Sequence, residues 1–253
     1  MNAMGISLIV FAVVFGGALL GMWSGRILPE EHLTSDAKDV VKVAMAMIAT
    51  LAALVLGLLT ASAKTSFDEK ATQVRNWGAE VVLLDRTLAE YGAEAAPVRG
   101  EVKQTLVERI EQIWPGEGKT VATEAIARGP GIEDIQKQIL ALKPGDDAQK
   151  WLQSTALQIT GTMAQARWTG LQQLQSSIQW PFMVVLVFWL ALIFASFGLF
   201  APRTGIVTLA LLLAALSVAG SVYLILEMDQ PYSGLIKISP QPLLTALDQL
   251  GKP

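Results

Sequence analysis

Apolar residues along the chain form four long blocks, arranged as two pairs on either side of a polar middle. The blocks cover residues 6–27, 40–63, 180–201 and 206–226. Each is long enough for the ~20 residues that an α-helix needs to cross a bilayer, and charges lie mainly at the block ends. No lysine or arginine precedes the first block, which favours a membrane helix over a signal peptide. The pattern predicts four transmembrane helices.

Short connections join the blocks within each pair, so each pair is predicted to be an antiparallel hairpin. The first hairpin covers residues 1–64 and the second covers 180–228. Residues 65–179 form an insertion between the hairpins, and residues 229–253 form a C-terminal segment expected at the membrane interface.

The insertion has the spacing of helices, because its apolar residues recur every three or four positions. From Phe67 to Tyr91 they follow a heptad pattern typical of a coiled coil, which continues directly from the second block. We expect one helix from Asp39 to Tyr91, ended by Gly92. Further helices are predicted over 97–113, over 132–142, and from the turn at 144–147 to Ile178. The predicted fold class is an all-α membrane protein with a helical insertion between two hairpins.

Four crossings place both termini and the insertion on one side of the membrane. Basic residues near the membrane ends are slightly more numerous on that side, which favours a cytoplasmic insertion by the positive-inside rule. On the insertion side they are Lys64, Lys70, Arg75, Arg167 and Lys237, and on the other side Arg26, Lys38, Lys42 and Arg203.

Composition agrees with a membrane protein and excludes several functions. The chain is 52% hydrophobic and 16% charged, against about 25% charged in soluble domains, and its mean hydropathy is +0.45. A net charge of -3 leaves no basic excess for nucleic acid. Without cysteine and with one histidine, the chain offers no thiolate or multi-histidine metal centre, and we expect no cofactor.

Nothing in the sequence argues for an enzyme. The chain has one histidine, and no serine and acid accompany it in a pattern that suggests a catalytic triad. The loop Pro115–Thr120 lacks the first glycine of a phosphate-binding loop, since Ile113 stands in its place. Glu30, Glu31 and His32 are adjacent on a predicted turn, where solvated polar surface is the simpler interpretation.

A stripe of small residues runs along the second predicted span. One interpretation is close helix packing, which also suits Gly17, Gly21 and Gly25 in the first span. The other is that the stripe lines a weakly polar pore formed by several copies, with a lysine attracting anions at its mouth. The pore-lining candidates are Thr50, Ala53, Gly57, Thr60 and Lys64.

Glutamines recur every seven residues along the last helix of the insertion, at Gln158, Gln165, Gln172 and Gln179. Such a ridge is usually a solvated helix face. Alternatively, the amides face identical helices around a symmetry axis and line a hydrated vestibule.

Two carboxylates, Glu227 and Asp229, close the fourth span. They are either boundary residues in the headgroup layer or part of a cation or gating site. Hard cations such as Ca²⁺ need several oxygen ligands, so these two alone are too few.

Several stretches resemble a bacterial membrane family labelled bestrophin-like. They are Leu28–Leu33, Met47–Leu59, Ala61–Asp68, Leu83–Gly92, Phe188–Leu190, Ser196–Arg203 and Leu226–Ile236. The resemblance covers both hairpins and the first helix of the insertion.

The resemblance implies a likeness to bestrophins, which are pentameric anion channels with four spans per subunit and a pore lined by the second span. The bulky residues that ring their pore neck are replaced here by Ala, Gly, Leu and Thr. Their dense acidic calcium clasp is reduced to Glu227 and Asp229. The second span is the candidate lining, without an assigned gate.

Together these features predict a homo-oligomer in the bacterial inner membrane that conducts small ions, with anions favoured. Its expected partners are the lipid bilayer, further copies of the chain and inorganic ions. The alternative is a non-conducting scaffold or sensor whose helical domain binds a protein.

Overall fold

A computed structural model describes residues 2–27, 35–115, 131–172, 180–202, 204–232 and 234–252. All regular secondary structure in these ranges is helical. The α-helices are α1 (Ala3–Ile27), α2 (Ser35–Tyr91), α3 (Ala96–Ile113), α4 (Ile132–Ala141), α5 (Asp147–Gln172), α6 (Trp180–Phe200), α7 (Gly205–Asp229) and α8 (Gln241–Gln249). A 3-10 turn, Ala93–Ala95, joins α2 to α3.

Four of these helices, α1, α2, α6 and α7, are long and apolar enough to cross a membrane. The prediction of an all-helical protein with four such helices is therefore confirmed. The pairing into hairpins and the cytoplasmic location of the insertion stay predictions. Arg203, Gln175, Gln179, the trio from Glu30 to His32 and most of the Pro115–Thr120 loop lie outside the described residues.

Helix ends follow local chemistry. Gly92 ends α2 with φ 124°, a conformation that side-chain-bearing residues rarely adopt. The side chain of Gln149 then donates a hydrogen bond of 2.9 Å to the carbonyl of Tyr91, the last residue of α2. Asp146 caps α5 by accepting a 2.7 Å hydrogen bond from the Gln149 backbone N–H. The predicted stop at Gly92 is thus present.

One compact unit contains residues 1–66 and 176–230. Its core joins apolar residues of α1, α6 and α7 with Ala52, Leu59 and Ala63 of α2. Helices α1 and α6 touch through backbone: a Cβ at Gly17 would lie 2.9 Å from the Ala191 carbonyl oxygen. Cβ atoms at Gly21 and Gly198 would overlap the partner helix more severely. Gly17 and Gly21 therefore allow close helix packing, which was the simpler of the two interpretations of small residues.

The second compact unit contains residues 67–175 and 231–253. Its core combines one face of α2 with α3, α4, α5 and α8. Helix α8, which the sequence analysis did not predict, buries Leu243 and Ala246 there. The indole N–H of Trp114 donates a 2.8 Å hydrogen bond to the Ile238 carbonyl. The C-terminal residues therefore belong to the helical unit, and their location at a membrane interface stays a prediction.

Candidate pore-lining surface of the second helix

Residues 40–64 of α2 present three different faces. The first face holds Ala52, Leu59 and Ala63, which are buried in the core shared with α1, α6 and α7. The second carries large apolar side chains that are all exposed: Val40, Val43, Met47, Leu51, Leu54 and Leu58. Bulky apolar side chains suit contact with lipid tails.

The third face carries the five predicted pore-lining residues, all of them exposed: Thr50, Ala53, Gly57, Thr60 and Lys64. At ~100° per residue, its centre lies roughly 120° around the helix from the centre of the buried face. The structure thus brings the five candidates together on one surface, which the core of their own unit does not cover.

The stripe is weakly polar rather than strongly hydrogen-bonding. The hydroxyl of Thr50 donates to the Ala46 carbonyl at 2.9 Å, and that of Thr60 donates to the Leu56 carbonyl at 2.8 Å. Each hydroxyl proton is therefore used within the helix, and only lone pairs remain for an outside partner.

Gly57 in this stripe has different surroundings from the glycines that allow close helix packing within the unit. A Cβ at Gly57 would meet nothing within 4 Å, whereas Cβ atoms at Gly17 and Gly21 would collide with α6. Packing among the described helices of one chain therefore explains Gly17 and Gly21 but does not explain Gly57 in the α2 stripe.

Charged residues bound the stripe at both ends. Lys42 forms an ion pair with Asp39 at 3.0 Å, and Lys64 lies one helical turn before Asp68. From Lys42 to Lys64 the helix rises roughly 33 Å at about 1.5 Å per residue, close to the ~30 Å of a bilayer core. At each end the lysine is the charge nearer the middle of the stripe.

The glutamine ridge lies on an exposed face of α5. Gln158 and Gln165 are exposed, and Gln172 is in the last turn of the helix, with a side chain outside the described residues. Trp151 and Trp168 on the same face are 66% and 60% exposed. From Trp151 to Thr169 this face carries no charge, which is unusual for an exposed helix.

Glu227 and Asp229 lie in the last turn of α7. Glu227 is 7% exposed and hydrogen-bonded to Tyr223 one turn earlier, while Asp229 is half-buried. Among the described residues, no group of three or more acidic or histidine side chains is placed to hold a metal ion. The cation and gating roles of these two carboxylates stay predictions.

In a comparison with known protein families, residues 12–243 match the family described as Bestrophin-like domain. The chain belongs to the bestrophin-like family. The match includes most of α1, all of the other three membrane-length helices and the whole insertion of this bestrophin-like chain. The same comparison with curated proteins and with solved structures found no match.

Sequence reasoning missed a group of cations in the helical unit of this bestrophin-like protein. Lys70, Arg109 and Arg167 belong to three helices and line one cavity. A signal was present at Lys70, which is three residues after Phe67 and four before Val74 and therefore shares the core-facing heptad stripe. A lysine at such a position is buried, and its charge needs a partner.

Proposed function

We propose that the chain is one subunit of an oligomeric ion channel whose pore is lined by the small-residue stripe of α2. The observation that carries the proposal is the stripe itself, which is exposed, weakly polar and unused by the packing of its own unit. Membership of the bestrophin-like family supports a multi-pass membrane protein.

Exposed small residues in a membrane helix seldom face lipid, because they give little apolar contact area there. They face another helix or a cavity. Exposed Thr50 and Thr60 together with Gly57 leave room beside the helix. Several copies that place this stripe around one axis would therefore enclose a narrow, hydrated path.

Anions are the proposed ions because lysine is the first charge at each end of the stripe. Lys42 and Lys64 would form rings of positive charge at the two mouths in a symmetric assembly. Asp39 and Asp68 lie farther from the middle and would reduce the field without reversing its sign at the constriction.

The proposed setting is the bacterial inner membrane, with the helical unit and both termini in the cytoplasm. Gln158 and Gln165 would face the same helix in neighbouring copies and line a vestibule. Lipid, further copies of the chain and inorganic anions are the proposed partners.

The deciding experiment measures chloride and potassium flux from liposomes that contain the purified full-length protein. We expect chloride flux to exceed potassium flux, and Lys64→Glu to abolish or reverse that preference. Lys103→Glu is the matched control, because Lys103 is exposed on α3 outside the stripe. Wild-type protein without flux of either ion would reject the channel.

The alternative is a non-conducting scaffold, and one observation favours it. Trp151 and Trp168 are large, exposed and on an uncharged helix face, which is typical of a protein interface. Wild-type protein that assembles but passes no ion in the same flux assay would support the scaffold.

A further inference from the structure

A cavity of about 350 Å³ lies in the helical unit, open on one side and lined by residues of α2, α3, α4, α5 and Tyr232 after α7. It holds about a dozen water-sized volumes and falls at the lower end of the range for small-molecule sites. The cavity is distinct from the stripe on residues 40–64, with which it shares no residue.

Three cationic side chains from three helices line this cavity. Lys70 and Arg109 are each only 6% exposed, and the Arg167 side chain is 15% exposed. Arg167 forms an ion pair with Glu133 at 3.1 Å. Among the residues that the structure describes, Lys70 has no hydrogen bond or ion pair within reach. An ammonium on so largely buried a side chain would gain from an anion in the cavity that it lines.

The charges around the cavity do not balance. Lys70, Arg109 and Arg167 contribute three positive charges, and Glu80 in the lining with Glu133 behind it contributes two negative ones. Burial lowers the pKa of Arg109, and the neighbouring Arg167 lowers it further while Glu133 opposes the shift. Burial raises the pKa of Glu80. The local excess is about one positive charge, which matches a single negative charge and would be exceeded by a dianion.

The rest of the lining is mostly apolar, with Val74, Trp77, Ile113, Ile132 and Met163 around the polar groups. Such walls bury a hydrocarbon or aromatic body, while a few polar groups fix its orientation. Inorganic anions would leave these walls in contact with water.

We propose that this cavity binds a small organic monocarboxylate. Its carboxylate contacts Arg109 and Lys70, and its apolar body packs against Trp77 and Met163. The inference is independent of ion conduction, because every residue in it belongs to the helical unit. The acid is either a soluble aromatic acid or a short acid derived from lipid, and both present the same chemistry to the cavity.

Isothermal titration calorimetry on the full-length, detergent-purified protein tests the proposal. Phenylacetate and octanoate are the two acid probes, and comparing them distinguishes an aromatic from a lipid-derived source. We expect saturable binding of at least one acid, with a Kd at least about tenfold lower than that of phenylacetamide or inorganic phosphate. The neutral amide controls for shape, and phosphate controls for charge alone.

Lys70→Met and Arg109→Met are each expected to raise the Kd of the acid about ten- to a hundredfold. Lys103→Met, at an exposed position on α3, should leave it unchanged. Lys70→Met removes a buried charge, so its melting temperature without ligand should not fall, which separates lost binding from misfolding. If Arg109→Met melts early, Arg109→Lys replaces it and should retain part of the affinity.

Three results would overturn the proposal. These are saturable binding of neither acid, equal affinity for phenylacetate and phenylacetamide, and acid affinity unchanged in both Lys70→Met and Arg109→Met. Tighter binding of phosphate than of either acid would also reject a monocarboxylate site.

Discussion

At the scale of single residues, the ion pair of Asp85 with Arg99 is a two-point contact in the helical unit. Two hydrogen bonds, of 2.8 and 2.9 Å, join the carboxylate to the guanidinium, and Asp85 is 2% exposed. The carboxylate also accepts a 3.2 Å hydrogen bond from the Gly251 backbone N–H. One side chain thus ties α2, α3 and the chain end together.

Asp85→Asn should lower the free energy of unfolding of the helical unit by about 3 kcal/mol, because Arg99 would lose its charged partner. The check is thermal unfolding of the purified protein followed by tryptophan fluorescence. Asp134→Asn is the matched control: Asp134 pairs with Lys137 at the surface, and its loss should cost at most about 0.5 kcal/mol. Equal melting of the two variants would contradict the assignment.

The same pair predicts how stability depends on pH. Burial is the largest single influence and acts to raise the pKa of Asp85. The hydrogen bonds from Arg99 and Gly251, together with the positive charges of Arg99 and Arg86, outweigh it and lower the pKa. A carboxyl whose folded-state pKa lies below its unfolded value of about 3.9 stabilises the fold above that pH and loses the effect as pH falls. Asp85→Asn should therefore flatten the acid side of the melting-temperature profile relative to that of the wild-type protein.

At the scale of elements, α2 is one continuous helix whose two parts have different surroundings. Its first part needs a bulky face for lipid, a buried face for its own unit and a small-residue face, while its later part needs a heptad stripe for the helical core. The small-residue face is the part on which the proposed pore depends.

Gly57→Met tests that face directly. A methionine would enter the proposed path without a clash inside the subunit, since a Cβ there meets nothing within 4 Å. We expect chloride flux to fall more than about tenfold, which corresponds to a barrier increase of at least about 1.4 kcal/mol. The measurement is flux in liposomes at equal protein content.

The adjacent variant Leu58→Met is the control, because Leu58 lies on the bulky exposed face. It introduces the same side chain one position away and should leave flux nearly unchanged. A loss of flux in both variants would indicate general damage to the helix, and a loss in neither would remove Gly57 from the pore.

The sequence predicts those features of the structure that depend on residues close together in the chain. Long apolar runs specify the membrane-length helices by composition alone, and Gly92 marks the end of α2 through its own backbone freedom. The stripe from Thr50 to Lys64 was predictable because its period is that of one helix. That it is exposed required the structure, since burial depends on the other helices.

Features that join distant segments were not predictable. Asp85 and Arg99 belong to two helices joined by a turn, and the cavity cations come from three separate helices. Helix α8 is short and has proline before it and at its second position, so its pattern is weak. It approaches α2 closely where the Pro242 carbonyl lies against Gly78. Local sequence patterns do not show which distant segments come into contact.

At the scale of the whole molecule, the proposal depends on assembly. One chain offers four membrane-length helices, which leave little room for a pore of their own. In a cyclic oligomer, the small-residue face of α2 and the uncharged face of α5 would each point toward the shared axis in every copy.

Light scattering of the detergent-extracted protein should give a mass of several copies. Because the chain has no cysteine, a single Gln165→Cys introduces a unique probe. Oxidation should link Gln165→Cys copies into dimers if the ridge surrounds an axis, whereas Lys103→Cys on α3 should stay unlinked. A strictly monomeric particle would contradict the assembly.

The hydrogen bond between Gly251 and Asp85 also constrains biosynthesis. The helical unit is encoded in two pieces, and the second, with Leu243, Ala246 and Leu250, is translated after α6 and α7. Proteins are translated at about 5–20 residues per second, so the insertion must wait for α6 and α7 to be made before its core can close. A nonsense codon at Gln241 would therefore leave the unit without α8, incomplete and exposed to quality-control proteases.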